Sequence, residues 1–115
     1  MLQIKRVYEK PEKSDGFRIL VDRLWPRGIT KQKAAIDLWL KEIAPSNELR
    51  TWFAHDPSKW SEFQRKYRTE LRTKKDSLDA VRRIIQEHTS VTLVYGAKDI
   101  NHNNAVVLNE LLKKE

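Results

Sequence analysis

Residues 17–28 read FRILVDRLWPRG. Ile19, Leu20 and Val21 are apolar in succession, without the polar alternation of a half-exposed strand. A strand of that kind is covered on both faces and belongs to a parallel sheet flanked by helices. Trp25-Pro26-Arg27-Gly28 then breaks it, because proline cannot donate a ladder hydrogen bond and glycine admits positive φ. The predicted strand runs from Phe17 to Leu24, so Asp22 and Arg23 lie at its carboxyl end and Arg27 just past it. Open α/β sheets hold their ligands outside such ends.

The flanking sequence supports that reading. Residues 2–8 alternate loosely and predict a first strand. The charged stretch EKPEKSDG, residues 9–16, carries a Ser-Asp-Gly turn signal and predicts a solvated loop. Thr30 is suited to N-cap a short helix, Lys31 to Ala35. Residues 37–43, DLWLKEI, fit either strand or helix, with a short extended segment preferred. Ser46 predicts an N-cap for a helix to about Ala54, and Glu48 suits its positive end. Asp56 is a further N-cap, with Pro57 at the first helical position. Trp60, Phe63, Tyr67 and Leu71 follow at i, i+3, i+7 and i+11, one face of a helix. Asp76 restarts a helix through Leu78, Val81, Ile84 and Ile85 to near His88. SVTLVYGA, residues 90–97, is a β-branched strand run. Asn103 to Lys113 closes the chain as a helix. Strands and helices alternate, which predicts a single three-layer α/β domain over 1–115, its sheet mainly parallel.

The composition narrows the chemistry. There is no cysteine, so disulfides, thiolate catalysis and Cys-based metal sites are excluded. That absence suits a reducing compartment. MLQIKRVYEK has no apolar h-region, and no apolar run approaches the ~18 residues of a spanning helix. The expectation is a soluble, cytoplasmic protein with no membrane partner. The three histidines lack the close spacing of a zinc site, so neither a metal nor a cofactor is expected. The net charge of +7 favours anionic partners.

Two polar segments leave predicted strand ends. In DRLWPRG, residues 22–28, Arg23 and Arg27 can fork around a phosphate or carboxylate. Trp25 can stack on a ring or fill the core, and core is preferred. Asp22 can orient an arginine, act as a base, or form a surface ion pair. In YGAKDINHNN, residues 95–104, Gly96 allows a sharp turn before Lys98, Asp99, His102, Asn103 and Asn104. Lys98 and the following helix start favour negative charge, and Asn103 adds a polar contact. His102 can move a proton near neutral pH, with Asp99 orienting it. Asp99 and Asn103 are equally suited to capping. His55, beside the Asp56 cap, can reach a site at a strand end, with an exposed and idle side chain preferred, and His88 reads as a helix-end cation.

A third feature is basic. Residues 65–83 carry eight basic and three acidic side chains. Arg65, Arg68, Arg72 and Lys75 recur on one side of the predicted helix and can track a phosphate backbone. A solvated face, with Glu62–Lys66 and Glu70–Lys74 pairs, is the preferred reading.

Three long stretches carry a resemblance. They are DGFRILVDRLWPRGITKQKA, LKEIAPSNELRTWFAHDPSKWSEF and LVYGAKDINHNNAVVLNELL. On these the chain resembles the YeaO-like proteins, a bacterial branch of a domain-of-unknown-function family. The resemblance implies no particular reaction. Relatives in the wider family often carry a Cys-His-Arg triplet where this chain has Asn101-His102-Asn103. Only His102 matches, so thiol chemistry is not implied here.

The preferred function is a small enzyme or ligand binder for an anionic small molecule, phosphorylated or nucleotide-like. Arg23, Arg27, Lys98, Trp25 and Asn103 would bind it, with His102, Asp99 and Asp22 as acid–base groups. The alternative is a nucleic-acid-binding accessory protein using Arg65, Arg68, Arg72 and Lys75.

Overall fold

A computed structural model of the chain describes residues 1–114. It contains β1 (Leu2–Arg6), β2 (Phe17–Leu20), β3 (Leu38–Trp39) and β4 (Val91–Tyr95). The helices are α1 (Lys31–Ala34), α2 (Asn47–Phe53), α3 (Trp60–Leu71), α4 (Lys75–Glu87) and α5 (Asn104–Lys113). The strands form one sheet in the order β1-β4-β2-β3, and every pairing is parallel. β4 is central, with Leu93 level with Ile4 on one side and Ile19 on the other.

Both faces are covered, as the unbroken apolar run required. Ile19, Val21, Leu93 and Tyr95 join the larger core with α2, α3, α4 and α5. Leu20 and Val94 face the other way, into a small cluster with Val7 and Ala34 that Trp25 and Trp39 close. The third layer is therefore thin: the one-turn helix α1 and two indoles.

The capping residues act as their types dictate. Thr30, Ser46 and Asn103 accept hydrogen bonds from Lys33, Leu49 and Val106 N–H groups. Asp56 caps a single 3-10 turn, Pro57–Lys59, that leads into α3. Residues 37–43 divide into the two-residue β3 and a 3-10 turn, Lys41–Ile43. β1 ends at Arg6, yet the Val7 N–H still donates to Tyr95 O at 2.7 Å.

One polar residue of β2 is buried. Arg18 is 3% exposed and donates to Asp15 at 2.7 Å, to Ala34 O at 2.8 Å and to Ala35 O at 3.1 Å. It ties the end of α1 to the sheet. Among the described residues no helix is long and apolar enough to cross a membrane.

Candidate functional site

The carboxyl ends of β1, β2 and β4 open onto a cleft of about 710 Å³. That volume lies within the range of small-molecule sites. The segment after β2 lines it with Asp22, Arg23, Trp25 and Arg27, and the segment after β4 with Gly96, Lys98 and Asn103. Arg6 and Tyr8 enter from β1, and Arg50, Phe53 and His55 from α2 and its exit.

Asp22 is the one carboxylate in this lining. Its Oδ2 accepts the Gly96 N–H at 2.8 Å, linking the ends of β2 and β4. A Cβ on Gly96 would lie 3.1 Å from that oxygen, so glycine is what allows the approach. Burial pushes the Asp22 carboxyl above its usual range, against the opposing pull of the Gly96 N–H, the Asn104 side chain, His55 and Arg50. The expected alternative of an Asp22 ion pair with Arg23 or Arg27 does not form; the carboxylate turns to the backbone of the neighbouring strand end instead.

Five cations surround it: Arg6, Arg23, Arg27, Arg50 and Lys98. None has a carboxylate within ion-pair distance among the described residues. Arg6 donates to Ala97 O at 2.9 Å and lies over the Tyr8 ring. Arg23 donates to Pro45 O and Ala44 O, both at 3.2 Å. Arg50 donates to the Asn47 side chain at 3.2 Å. Arg27 and Lys98 are exposed. Carbonyls and amides orient these groups without cancelling their charge, so the cleft keeps a positive field.

Trp25 fills the small cluster on the second face of the sheet, as preferred, and also borders the cleft. Its indole N–H donates to Ile29 O at 2.8 Å and its ring meets Trp39 edge-on, while one side lines the cleft. Trp39 in turn donates to Asp22 O at 2.7 Å, fixing the backbone at the site. Asn103 is buried, with both ends of its amide in use: Oδ1 caps Val106 N–H and Nδ2 donates to Asp99 O.

His102 and Asp99 stand outside the lining. The two pair at 2.8 Å, and the His102 ring meets Trp60 edge-on at 5.2 Å between centroids. Asp99 also accepts the N–H groups of Asn101 and His102; these bonds, with the histidine, hold its carboxyl below the usual range.

The basic stripe is discontinuous. α3 ends at Leu71, so Arg72 is its C-cap and Lys75 opens α4. Arg65 pairs with Glu62 at 2.6 Å and Arg68 with Glu110 at 3.5 Å. The expected Glu62–Lys66 and Glu70–Lys74 pairs are replaced. Lys66 lies over the Trp52 ring at 4.1 Å, Glu70 accepts from Ser46 N–H and Oγ, and Lys74 donates to Ala44 O. Tertiary partners outcompeted the helical neighbours.

Two lining cations, Arg6 and Arg50, escape the sequence reading, and His55 takes the less favoured of its two readings. Arg6 sits at a parallel strand's carboxyl end, and that position is a usable signal. Arg50 has no local signal. His55 is exposed, as expected, and also lines the cleft, where it follows Ala54 in a pair of left-handed residues with φ of 46° and 57°. Non-glycine residues held there are uncommon and cluster at functional sites.

A family model described as the inactive DUF488-N3 subclade matches residues 1–115. The uncharacterized protein YeaO of Escherichia coli is 44% identical over 112 residues, covering 97% of this chain and 96% of that protein. The uncharacterized proteins Rv3073c of Mycobacterium tuberculosis and Mb3100c of Mycobacterium bovis are each 38% identical over 111 residues, covering 96% of this chain and 92% of theirs. No solved structure matches.

Proposed function

The chain belongs to the inactive DUF488-N3 subclade, as a YeaO-like member, and on that premise we propose that it binds an anionic small molecule, phosphorylated or nucleotide-like, without transforming it. One observation carries the reading: five cations, none with a carboxylate within ion-pair distance among the described residues, line one cleft at the strand ends. A phosphate seated among them replaces lost hydration with charge-assisted hydrogen bonds. Arg27 and Lys98 are its primary contacts, with Arg23 and Arg6 behind them and Trp25 as a ring contact.

Binding is favoured over catalysis for two reasons. The subclade's description is of an inactive branch. The acid–base pair His102–Asp99 lies outside the lining, and Asp22 is engaged by the Gly96 N–H. The lack of cysteine suits a cytoplasmic ligand pool. No observation favours the nucleic-acid alternative: its stripe is interrupted at Leu71 and half neutralised by Glu62 and Glu110. Calorimetric titration with inorganic phosphate and ribose 5-phosphate tests the proposal. Saturable heat that disappears in the double variant Arg27→Ala/Lys98→Ala supports it; no heat with either ligand refutes it.

A further inference from the structure

The cleft is far larger than a bare oxyanion needs, and its walls are not uniform. Trp25 supplies a half-buried ring, the cations supply the anion contacts, and Asp22 stands among them as the lining's one acidic group, while Phe53 and Phe63 form the buried floor. An ionised carboxylate repels an incoming phosphate. It is tolerated in an anion site only where the ligand also brings hydrogen-bond donors to it, since an unmet buried acceptor costs binding free energy. The Gly96 N–H and the Asn104 side chain both hold the Asp22 carboxylate, which fixes its direction, and the remaining lone pairs of its two oxygens can accept from a ligand.

Resting on the anion-binding reading, we propose that the ligand is a nucleoside phosphate whose base carries N–H donors on its edge, with the base edge on Asp22 and the phosphate on Arg27 and Lys98. Trp25 takes the flat face of the base, because base–aromatic stacking tolerates any ring system. Discrimination then comes from Asp22, because an analogue that lacks the donors leaves a carboxylate unpaired in the cleft. Phe53 reaches the cleft from the last turn of α2, immediately before the strained Ala54–His55 pair.

Four probes test this by calorimetry on the full chain: inorganic phosphate, ribose 5-phosphate, guanosine 5′-monophosphate and purine riboside 5′-monophosphate. The last keeps the purine ring and phosphate but has no N–H on the base edge. Guanosine monophosphate should bind about tenfold tighter than purine riboside monophosphate, the size of one charge-assisted hydrogen bond. In Asp22→Asn that preference should shrink to about twofold or less, with ribose 5-phosphate not weakened. Equal affinity of the two purine nucleotides for the wild-type chain overturns the donor contact, and needs no variant to fold. Ribose 5-phosphate binding as tightly as either nucleotide removes the base altogether while leaving the anion site standing. If none of the four binds, both readings fall together.

Discussion

The Asp22 carboxylate accepts the Gly96 N–H at 2.8 Å across 74 positions of sequence, and this bond holds the ends of β2 and β4 in one geometry. Gly96→Ala would place a methyl 3.1 Å from that oxygen. Backbone and carboxylate must then part by a few tenths of an ångström. A stability loss of about 1–2 kcal/mol is expected in urea unfolding, as for modest overpacking. In an Asp22→Ala background the same substitution should cost clearly less, because the atom it strikes has gone.

Asp22 itself is kept at a cost to the fold. Burial raises its folded pKa above the unfolded value, so between those two values the folded state binds more protons. Stability therefore falls as pH rises through that window, and the penalty persists at neutral pH. Asp22→Asn keeps an acceptor for Gly96 and removes the charge. It should raise Tm by a few degrees at pH 7, with the gain vanishing as pH falls towards ~4, the unfolded carboxyl's range. An unchanged Tm at pH 7 would argue that the carboxylate is already well compensated.

Arg18 should be the least replaceable charge in the chain. Its removal takes the buried guanidinium from Asp15, which keeps only Lys5 and the Glu12 N–H, and strands the carbonyls of Ala34 and Ala35. Arg18→Met should lose about 3–5 kcal/mol, the cost of breaking a buried pair from one side. Such a loss would approach the whole stability of a small domain.

Asp15 gives the opposite pH sign to Asp22. Burial raises its carboxyl, but the Glu12 N–H, Lys5 and Arg18 outweigh that and hold it below the usual range. A depressed folded pKa contributes stability above the unfolded value of ~3.9, lost as pH falls through the folded value. Acid unfolding should therefore steepen below pH ~4, and Asp15→Asn should flatten that limb.

Arg27 and Lys98 are exposed and have no ion-pair partner among the described residues. Replacing either by alanine should change stability by less than about 0.5 kcal/mol. The test is urea unfolding without added anion. A larger loss would give these side chains a structural duty instead.

Much of this architecture was legible in residue order because it rests on local chemistry. The apolar run 19–21 announced a doubly covered strand, and Thr30, Ser46, Asp56 and Asn103 each cap where their side chains direct. β3 was not legible, since two residues leave no period to read. Arg18 was hidden for a different reason: a charged residue inside a strand looks exposed until its buried partner is known. The cleft was half legible. Asp22, Arg23, Trp25, Arg27 and Lys98 leave strand ends, where parallel-sheet geometry gathers groups. Arg50 and His55 arrive by packing of α2 against α3, which no local pattern encodes. The acid–base pairing of His102 with Asp99 was readable, but not its orientation towards Trp60 and away from the cleft lining.

The most direct measurement is a two-dimensional amide NMR titration with inorganic phosphate, which maps contact without assuming a substrate. Concentration-dependent shifts should gather at the backbone amides of Arg23, Arg27, Gly96, Lys98 and Asn104 and leave α4 undisturbed. Shifts confined to residues 65–75, or no saturable shift at all, would contradict an anion site at the strand ends.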